Sequence, residues 1–143
     1  MDDEDVIRLR RTIARLARHF NASSTEDGLT PSQASVLGLI VARGPLSLAD
    51  LGDIEGLNPT MVSRVVGRLH AMNLIIRIPG PSDLRKASVT ATATGTLTCK
   101  RIQQQQTAAV SRSLELLDNS RGTVLLQALP VLEELAGVLQ RTA

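Results

Sequence analysis

The segment NPTMVSRVVGRLHAM, residues 58–72, has the pattern of an amphipathic helix. Asn58 is suited to cap this helix and Pro59 to occupy its first position. One stripe of a helical projection is apolar, formed by Val62, Val65, Leu69 and Met72. The opposite face is polar and cationic and has no carboxylate: Thr60, Ser63, Arg64 and Gly67, with Arg68 at its edge. Alone, this pattern fits an ordinary surface helix equally well, so the flanking sequence decides its meaning.

A short helix and a tight turn are predicted directly before this segment. Ser47, with Asp50 three residues later, is suited to cap a helix that runs through Ile54. Glu55-Gly56-Leu57 then predicts a tight turn. Helix, glycine-containing turn and helix in this order predict a helix-turn-helix, with residues 58–72 as its second helix.

A β-hairpin is predicted after Asn73. Residues 74–78 have the composition of a strand, and a second short strand follows near residues 87–90. Five basic residues and one acid lie between Asn58 and Lys86, which gives this segment a local charge of 5 − 1 = +4. A basic hairpin that follows a helix-turn-helix predicts a winged helix and a polyanion site. The alternative is a solvated loop with no function.

The remaining predicted elements are helices. The capping box and proline of residues 30–33 start a helix that ends at Gly44-Pro45 and is apolar nearly all round, as expected of a buried helix. An amphipathic helix is predicted from about residue 4 to 21. Thr92 is suited to cap a long helix to about residue 117, with Leu97 and Ile102 on its apolar side. A last helix from about residue 121 to 139 contains Pro130, which should kink or divide it.

Length and composition exclude several classes of protein. A chain of 143 residues is one domain by length, and 43% hydrophobic residues exclude a disordered chain. We expect no apolar run of membrane-spanning length, and therefore no membrane partner. The acidic residues 2–5 do not resemble a secretory signal. The single cysteine, Cys99, precludes intrachain disulfides, so we expect a cytoplasmic protein.

The sequence gives little support for a catalytic site or a metal site. His19 and His70 lie on different predicted helices, without paired carboxylates, a nucleophile motif or a glycine-rich phosphate loop. A zinc site needs three or four convergent ligands, and two histidines with one cysteine supply too few. We therefore expect no enzyme and no cofactor. Cys99 is expected to be buried or at a dimer interface rather than a redox switch.

Residues 30–102 resemble the MarR family of bacterial transcription regulators. The wing motif of that family, Asp-x-Arg, a strand and then Thr-x-x-Gly, is similar to Asp83-Leu84-Arg85, Val89 and residues 92–95. Leu84 departs from the family pattern because a second arginine is frequent at that position.

The recognition helix and its exit carry the rest of the resemblance. The family's Ser/Thr-Arg pair matches Ser63-Arg64. Its Gly-Leu-Val-x-Arg exit matches residues 73–77, with Asn73 at the position of the glycine. Ala91 is a second departure, because leucine is usual there.

This resemblance implies a mainly α-helical protein with a small β-hairpin. It implies a single domain over residues 1–143, with a winged helix-turn-helix core at about 30–91 and dimerisation helices at about 4–21 and 92–141. The implied DNA contacts are Asn58, Pro59, Thr60, Ser63, Arg64, Arg68, Arg77, Asp83, Arg85 and Lys86. The implied homodimer contacts are Val6, Leu9, Ile13, Leu16, Phe20, Leu125, Leu129, Leu132 and Leu135.

The resemblance also implies a function. Such a homodimer would repress transcription by binding double-stranded DNA at a pseudo-palindromic operator. Family members commonly release DNA on binding small phenolic or lipophilic molecules, so an effector of that kind is expected. Phe20 is the only aromatic residue, and we therefore expect an aliphatic effector pocket. The alternative from a different class is a winged helix that binds protein instead of DNA.

Overall fold

The protein is a mainly α-helical chain with a three-stranded antiparallel sheet. Its structure, a computed structural model, describes residues 1–22, 27–80 and 87–142. The chain divides into two compact units, residues 1–106 and 107–143. The elements in chain order are α1 (Asp3–Ala22), α2 (Pro31–Arg43), β1 (Leu46–Ser47), α3 (Leu48–Glu55), α4 (Pro59–Ala71), β2 (Ile75–Ile78), β3 (Ser88–Ala91), α5 (Ala93–Glu115) and α6 (Asn119–Thr142).

The predicted hairpin is present, and a third strand joins it. β2 and β3 pair antiparallel from Ile75 opposite Ala91 to Ile78 opposite Ser88. The short strand β1 pairs with the other edge of β3, which makes β3 the central strand. A two-residue strand is too short to show alternating hydrophobicity, so β1 could not be recognised from the sequence.

The hydrophobic core lies in the first unit, and α2 is at its centre. The predicted capping box of α2 is confirmed, because the Thr30 hydroxyl accepts from the Gln33 N–H while the Gln33 side chain accepts from the Thr30 N–H. Val36, Leu37 and Ile40 are exposed by 2% or less, so α2 is buried along the face that carries them. The buried apolar residues are Leu29, Val36, Leu37, Ile40, Leu51, Val62, Val65, Val66, Leu69, Leu74, Ile75, Val89, Cys99 and Ile102.

The end of α4 and the start of α5 are joined by one hydrogen-bonded junction. Asn73 adopts a left-handed conformation with φ of 59°, as its position after α4 predicted. The Thr92 hydroxyl donates to the Asn73 carbonyl at 2.7 Å and accepts from the Gly95 N–H at 3.0 Å. The Thr92 N–H donates to the Leu74 carbonyl at 3.0 Å. Thr92 therefore caps α5 and holds it against the first residues of the hairpin.

The buried face of α5 includes Ile102, as predicted, but not Leu97. Ile102 is buried together with Gly95, Thr98 and Cys99, whereas Leu97 is 66% exposed. Leu97 lies about 150° around the helix from the middle of the buried residues, so it cannot share their face. The expectation for Leu97 was wrong.

Helix α6 begins two residues earlier than predicted and is continuous through Pro130. The Asp118 carboxylate caps its first turn by accepting from the Arg121 N–H at 2.9 Å. A hydrogen bond from the Ser120 hydroxyl, followed by that from Arg121, lowers the pKa of Asp118.

By length and composition alone α6 could cross a membrane, which corrects the expectation that no apolar run is long enough. One such helix is weak evidence for a membrane protein.

Gly95 should not tolerate a side chain. A Cβ at this position would overlap the carbonyl oxygen of Leu74, which is backbone and cannot move aside. We expect Gly95→Ala to lower the free energy of unfolding by about 3 kcal/mol, measured by urea denaturation at fixed protein concentration. Gly122→Ala is the matched control, because a Cβ there meets nothing within 4 Å. Equal stability of the two variants would contradict the assigned close packing.

Candidate nucleic-acid interface

The helix α4 is fixed to the core by one face. Val62, Val65 and Leu69 are buried as predicted, and Met72 is half-buried just beyond its end. Val66, which the predicted stripe omitted, is also fully buried. Its position directly after Val65 widens the apolar stripe, and this was visible in the sequence. The buried side chains leave the helix no freedom to rotate about its axis.

The opposite face of α4 is exposed along its whole length. Arg64 and Arg68 are exposed, and neither forms an ion pair with any other described residue. The described part of the chain therefore leaves both guanidinium groups available to an external partner. The face also brings together the remaining residues predicted from this segment, namely Thr60, Ser63 and Gly67.

Gly67 is not required by internal packing. A Cβ at this position would meet nothing within 4 Å. Glycine inside a helix lowers helix stability by roughly 1 kcal/mol relative to alanine. Gly67 therefore costs stability without relieving a clash among the described residues, and it lowers the surface of α4 beside Ser63 and Arg64.

The start of α4 is set by Asn58 and Pro59. The Asn58 side-chain oxygen accepts from the Met61 N–H at 2.9 Å, and Pro59 occupies the first turn, as predicted. Both residues are exposed. The cap occupies the Asn58 oxygen, so only its amide NH2 group could also donate to a phosphate.

An apolar groove, missed in the sequence, separates α3 from the start of α4. It encloses about 310 Å³. Asp53 and Ser63 are its polar side chains, and they come from different helices. The groove is lined by Leu48, Ala49, Gly52, Asp53, Leu57, Pro59, Val62 and Ser63. A groove between two helices depends on how they pack, so neither helix pattern could predict it.

Of the DNA contacts predicted in the hairpin, the structure describes only Arg77. Arg77 is exposed on β2, opposite the buried Val89 of β3. Asp83, Arg85 and Lys86 lie outside the described residues, so their roles stay predictions.

A second cavity, of about 260 Å³, lies beside Cys99 in the first unit. Burial raises the pKa of the Cys99 thiol, which keeps it protonated near neutral pH. Amide and hydroxyl groups line the cavity along with apolar ones. Its lining consists of Asn21, Pro31, Ala34, Ser35, Gly38, Cys99, Ile102, Gln103 and Gln106.

Comparisons with known proteins agree with this architecture. A helix-turn-helix followed by a β-hairpin defines the winged-helix class of proteins. Residues 29–87 match the model of the MarR family. The chain is 26% identical to the HTH-type transcriptional repressor MdtR of Bacillus subtilis, over 80% of this chain and 72% of that protein. It is 29% identical to a putative transcriptional regulatory protein for the hcr operon of Thauera aromatica, over 81% and 70%.

A solved structure gives the same result. The MarR family protein Rv2887 of Mycobacterium tuberculosis superposes with a TM-score of 0.75 at 25% identity, over 92% of this chain and 96% of that one. Residues 29–87 are therefore a winged-helix, DNA-binding domain of the MarR family, and the chain is similar over most of its length to transcriptional regulators. This family consists of regulators that are not enzymes.

Replacement of Asn58 should reveal its capping role. Asn58→Ala should lower the free energy of unfolding by about 1 kcal/mol because the Met61 N–H loses its acceptor. Asn58→Ser retains an acceptor and should stay within a few tenths of a kcal/mol of the parent chain. Urea denaturation of both variants measures the difference. If the serine variant lost as much stability as the alanine variant, capping would not be the structural role of Asn58.

Proposed function

We propose that this chain is a homodimeric transcriptional repressor that inserts α4 into the major groove of a pseudo-palindromic operator. The observation that carries the proposal is the division of α4 into a buried apolar stripe and an exposed, carboxylate-free cationic face. A recognition helix needs both, because it must be held rigidly while its polar side chains meet base edges.

Roles on α4 follow from side-chain chemistry. Arg64 is central on the exposed face and can donate two parallel hydrogen bonds to the O6 and N7 atoms of guanine. Thr60 and Ser63 lie closer to the helix start and contact base edges or adjacent phosphates. Arg68 lies at the edge of this face and contacts phosphate, which positions the helix without reading sequence.

The hairpin supplies the second set of contacts. Arg85 enters the minor groove, where arginine favours the narrow, strongly negative A·T-rich segments. Lys86 and Arg77 contact the phosphate backbone on either side. Asp83 orients one of the neighbouring arginines, because a carboxylate that faced phosphate would be repelled.

The homodimer covers apolar surface that a single chain leaves exposed. Neither α1 nor α6 contains a buried residue. Phe20 on α1 is 40% exposed, and Leu125 and Leu129 on α6 are 40% and 43% exposed. A second copy would remove these stripes from water, a favourable change of about 25 cal/mol per Å² of apolar surface. The proposed contacts are those predicted above: Val6, Leu9, Ile13, Leu16, Phe20, Leu125, Leu129, Leu132 and Leu135.

The homodimer also sets the distance between its two α4 helices. The two α4 helices then enter successive major grooves about 34 Å apart, on one side of the duplex. A small lipophilic or phenolic effector that binds one dimer conformation more tightly shifts this spacing and releases DNA. The cavity beside Cys99 is a candidate site, and its amide groups suit a phenolic hydroxyl. Such a regulator acts in the cytoplasm.

The assignment of Arg64 can be tested on operators selected from a random-sequence duplex pool with the purified full-length protein. Arg64→Ala should weaken operator binding by roughly 1–3 kcal/mol and relax one base position, because a bidentate contact is lost. Arg68→Ala should weaken binding to all duplexes by a similar factor. It should also reduce the magnitude of the slope of log Kobs against log salt concentration by about 0.9 for each lost phosphate contact.

Arg43→Ala is the matched control for charge, since Arg43 is exposed at the end of α2. Affinities are measured by gel shift at several salt concentrations. Unchanged operator binding by the Arg64 and Arg68 variants would show that α4 is not the recognition helix. Failure to select any duplex would favour the protein-binding alternative.

Gly67→Ala should raise the stability of the fold and lower the affinity for the operator. The added methyl group raises the free energy of unfolding by up to about 1 kcal/mol, because it meets no neighbour and favours the helix. It should also weaken operator binding at least tenfold, because it stands between the helix and the base edges. Thermal denaturation and gel shift measure the two effects on one preparation. A more stable variant that binds as tightly as the parent would show that DNA does not approach Gly67 closely.

A further inference from the structure

A second cationic surface lies on α1, apart from the recognition helix. Its four arginines succeed one another at intervals of three, four and three residues, so they share an arc of roughly 80°. All of them are exposed, and they extend for about 15 Å along the helix axis. This arginine stripe consists of Arg8, Arg11, Arg15 and Arg18.

The arginine stripe faces away from the apolar side of α1. The apolar residues from Val6 to Phe20 that the proposed dimer would bury are centred roughly 160° around the helix from it. If a second copy covers those residues, the arginines remain in solvent on the outer surface. The inference therefore rests on the proposed homodimer, although not on which residues of α4 read DNA.

The charges of the arginine stripe are not balanced within the described chain. Glu4, four positions before Arg8, is the one carboxylate of α1 on this arc. Residues 6–22 contain no aspartate or glutamate, and none of the four arginines forms an ion pair with another described residue. Neighbouring arginines three or four positions apart repel one another and lower helix stability. Arg8 and Arg11 also lie in the first half of α1, away from the negative end of the helix dipole. An ordinary solvated helix face alternates charges of opposite sign, and from Arg8 onward this face does not.

We propose that the arginine stripe is a second polyanion surface, which binds the phosphodiester backbone of duplex DNA without reading its sequence. A row of phosphates supplies the missing negative charge. Arginine suits this partner because its planar guanidinium can donate two hydrogen bonds to one phosphate. The surface increases the affinity of the dimer for non-operator duplex, where binding depends on phosphate contacts alone.

The test replaces all four arginines of the stripe with glutamine, which has a similar helix propensity. Binding of the full-length variant to a duplex that lacks the operator is followed by fluorescence anisotropy across a series of salt concentrations. Each lost phosphate contact reduces the magnitude of the slope of log Kobs against log salt concentration by about 0.9. We expect the variant to lose at least two contacts, so the magnitude of its slope should fall by about 1.8 or more. At the lowest salt concentration the affinity should fall at least tenfold.

The matched control removes four positive charges elsewhere. It replaces exposed arginines outside α1 with glutamine: Arg43, Arg112, Arg121 and Arg141. We expect this control to change the slope by less than about 0.9. An equal fall in both variants would attribute the effect to net charge and overturn the inference. An unchanged slope in the α1 variant would also overturn the inference.

Two further measurements exclude other partners for the stripe. Sedimentation velocity should show that the α1 variant remains dimeric, and dissociation would assign the arginines to the dimer interface instead. Vesicles of phosphatidylglycerol test a membrane surface as the partner, because they present anionic phosphodiesters without a duplex. A loss of vesicle binding with unchanged DNA binding would assign the stripe to a membrane surface. Failure of the Arg64→Ala test would overturn the proposed function without altering these outcomes.

Discussion

The winged helix-turn-helix depends on the contact between Gly95 and the Leu74 carbonyl. Because Gly95 has no side chain, α5 can start directly against the residue that leads into the hairpin. Thr92 then completes the junction with its hydroxyl and its N–H. The end of α4, the first strand of the hairpin and the start of α5 are thereby held at one point. The orientation of the recognition helix and that of the wing strands are consequently not independent.

The core and the candidate interface use opposite faces of the same thirteen-residue helix. Val66 and Leu69 are completely buried, while Ser63 and Arg64 point to solvent. The sheet adds a second connection, because Ser47 both pairs with Ser88 and accepts from the Asp50 N–H to cap α3. The first helix of the helix-turn-helix is therefore tied to the central strand of the wing as well as to α4.

Short-range signals predicted the boundaries of the helices well. The caps at Thr30, Ser47 and Asn58 each depend on a residue three positions later, and all three were predicted correctly. What escaped prediction depends on distant residues. β1 exists because it pairs with Val89 and Ser88, more than forty positions away. The groove between α3 and α4 likewise depends on packing. The wing contacts of Arg85 remain predictions, because they lie outside the described residues.

The exposed face of α4 has a consequence for how such a regulator can diverge. A Cβ at Gly67 would meet no described residue within 4 Å, and neither Arg64 nor Arg68 is tied to another described residue by an ion pair. Replacing these side chains therefore costs the fold little, since buried valines and a leucine hold the helix from the other side. Under the proposed function, natural selection could change the preferred operator one base pair at a time without first acquiring compensating mutations in the core. Duplicated copies of such a gene could acquire new targets while keeping one scaffold.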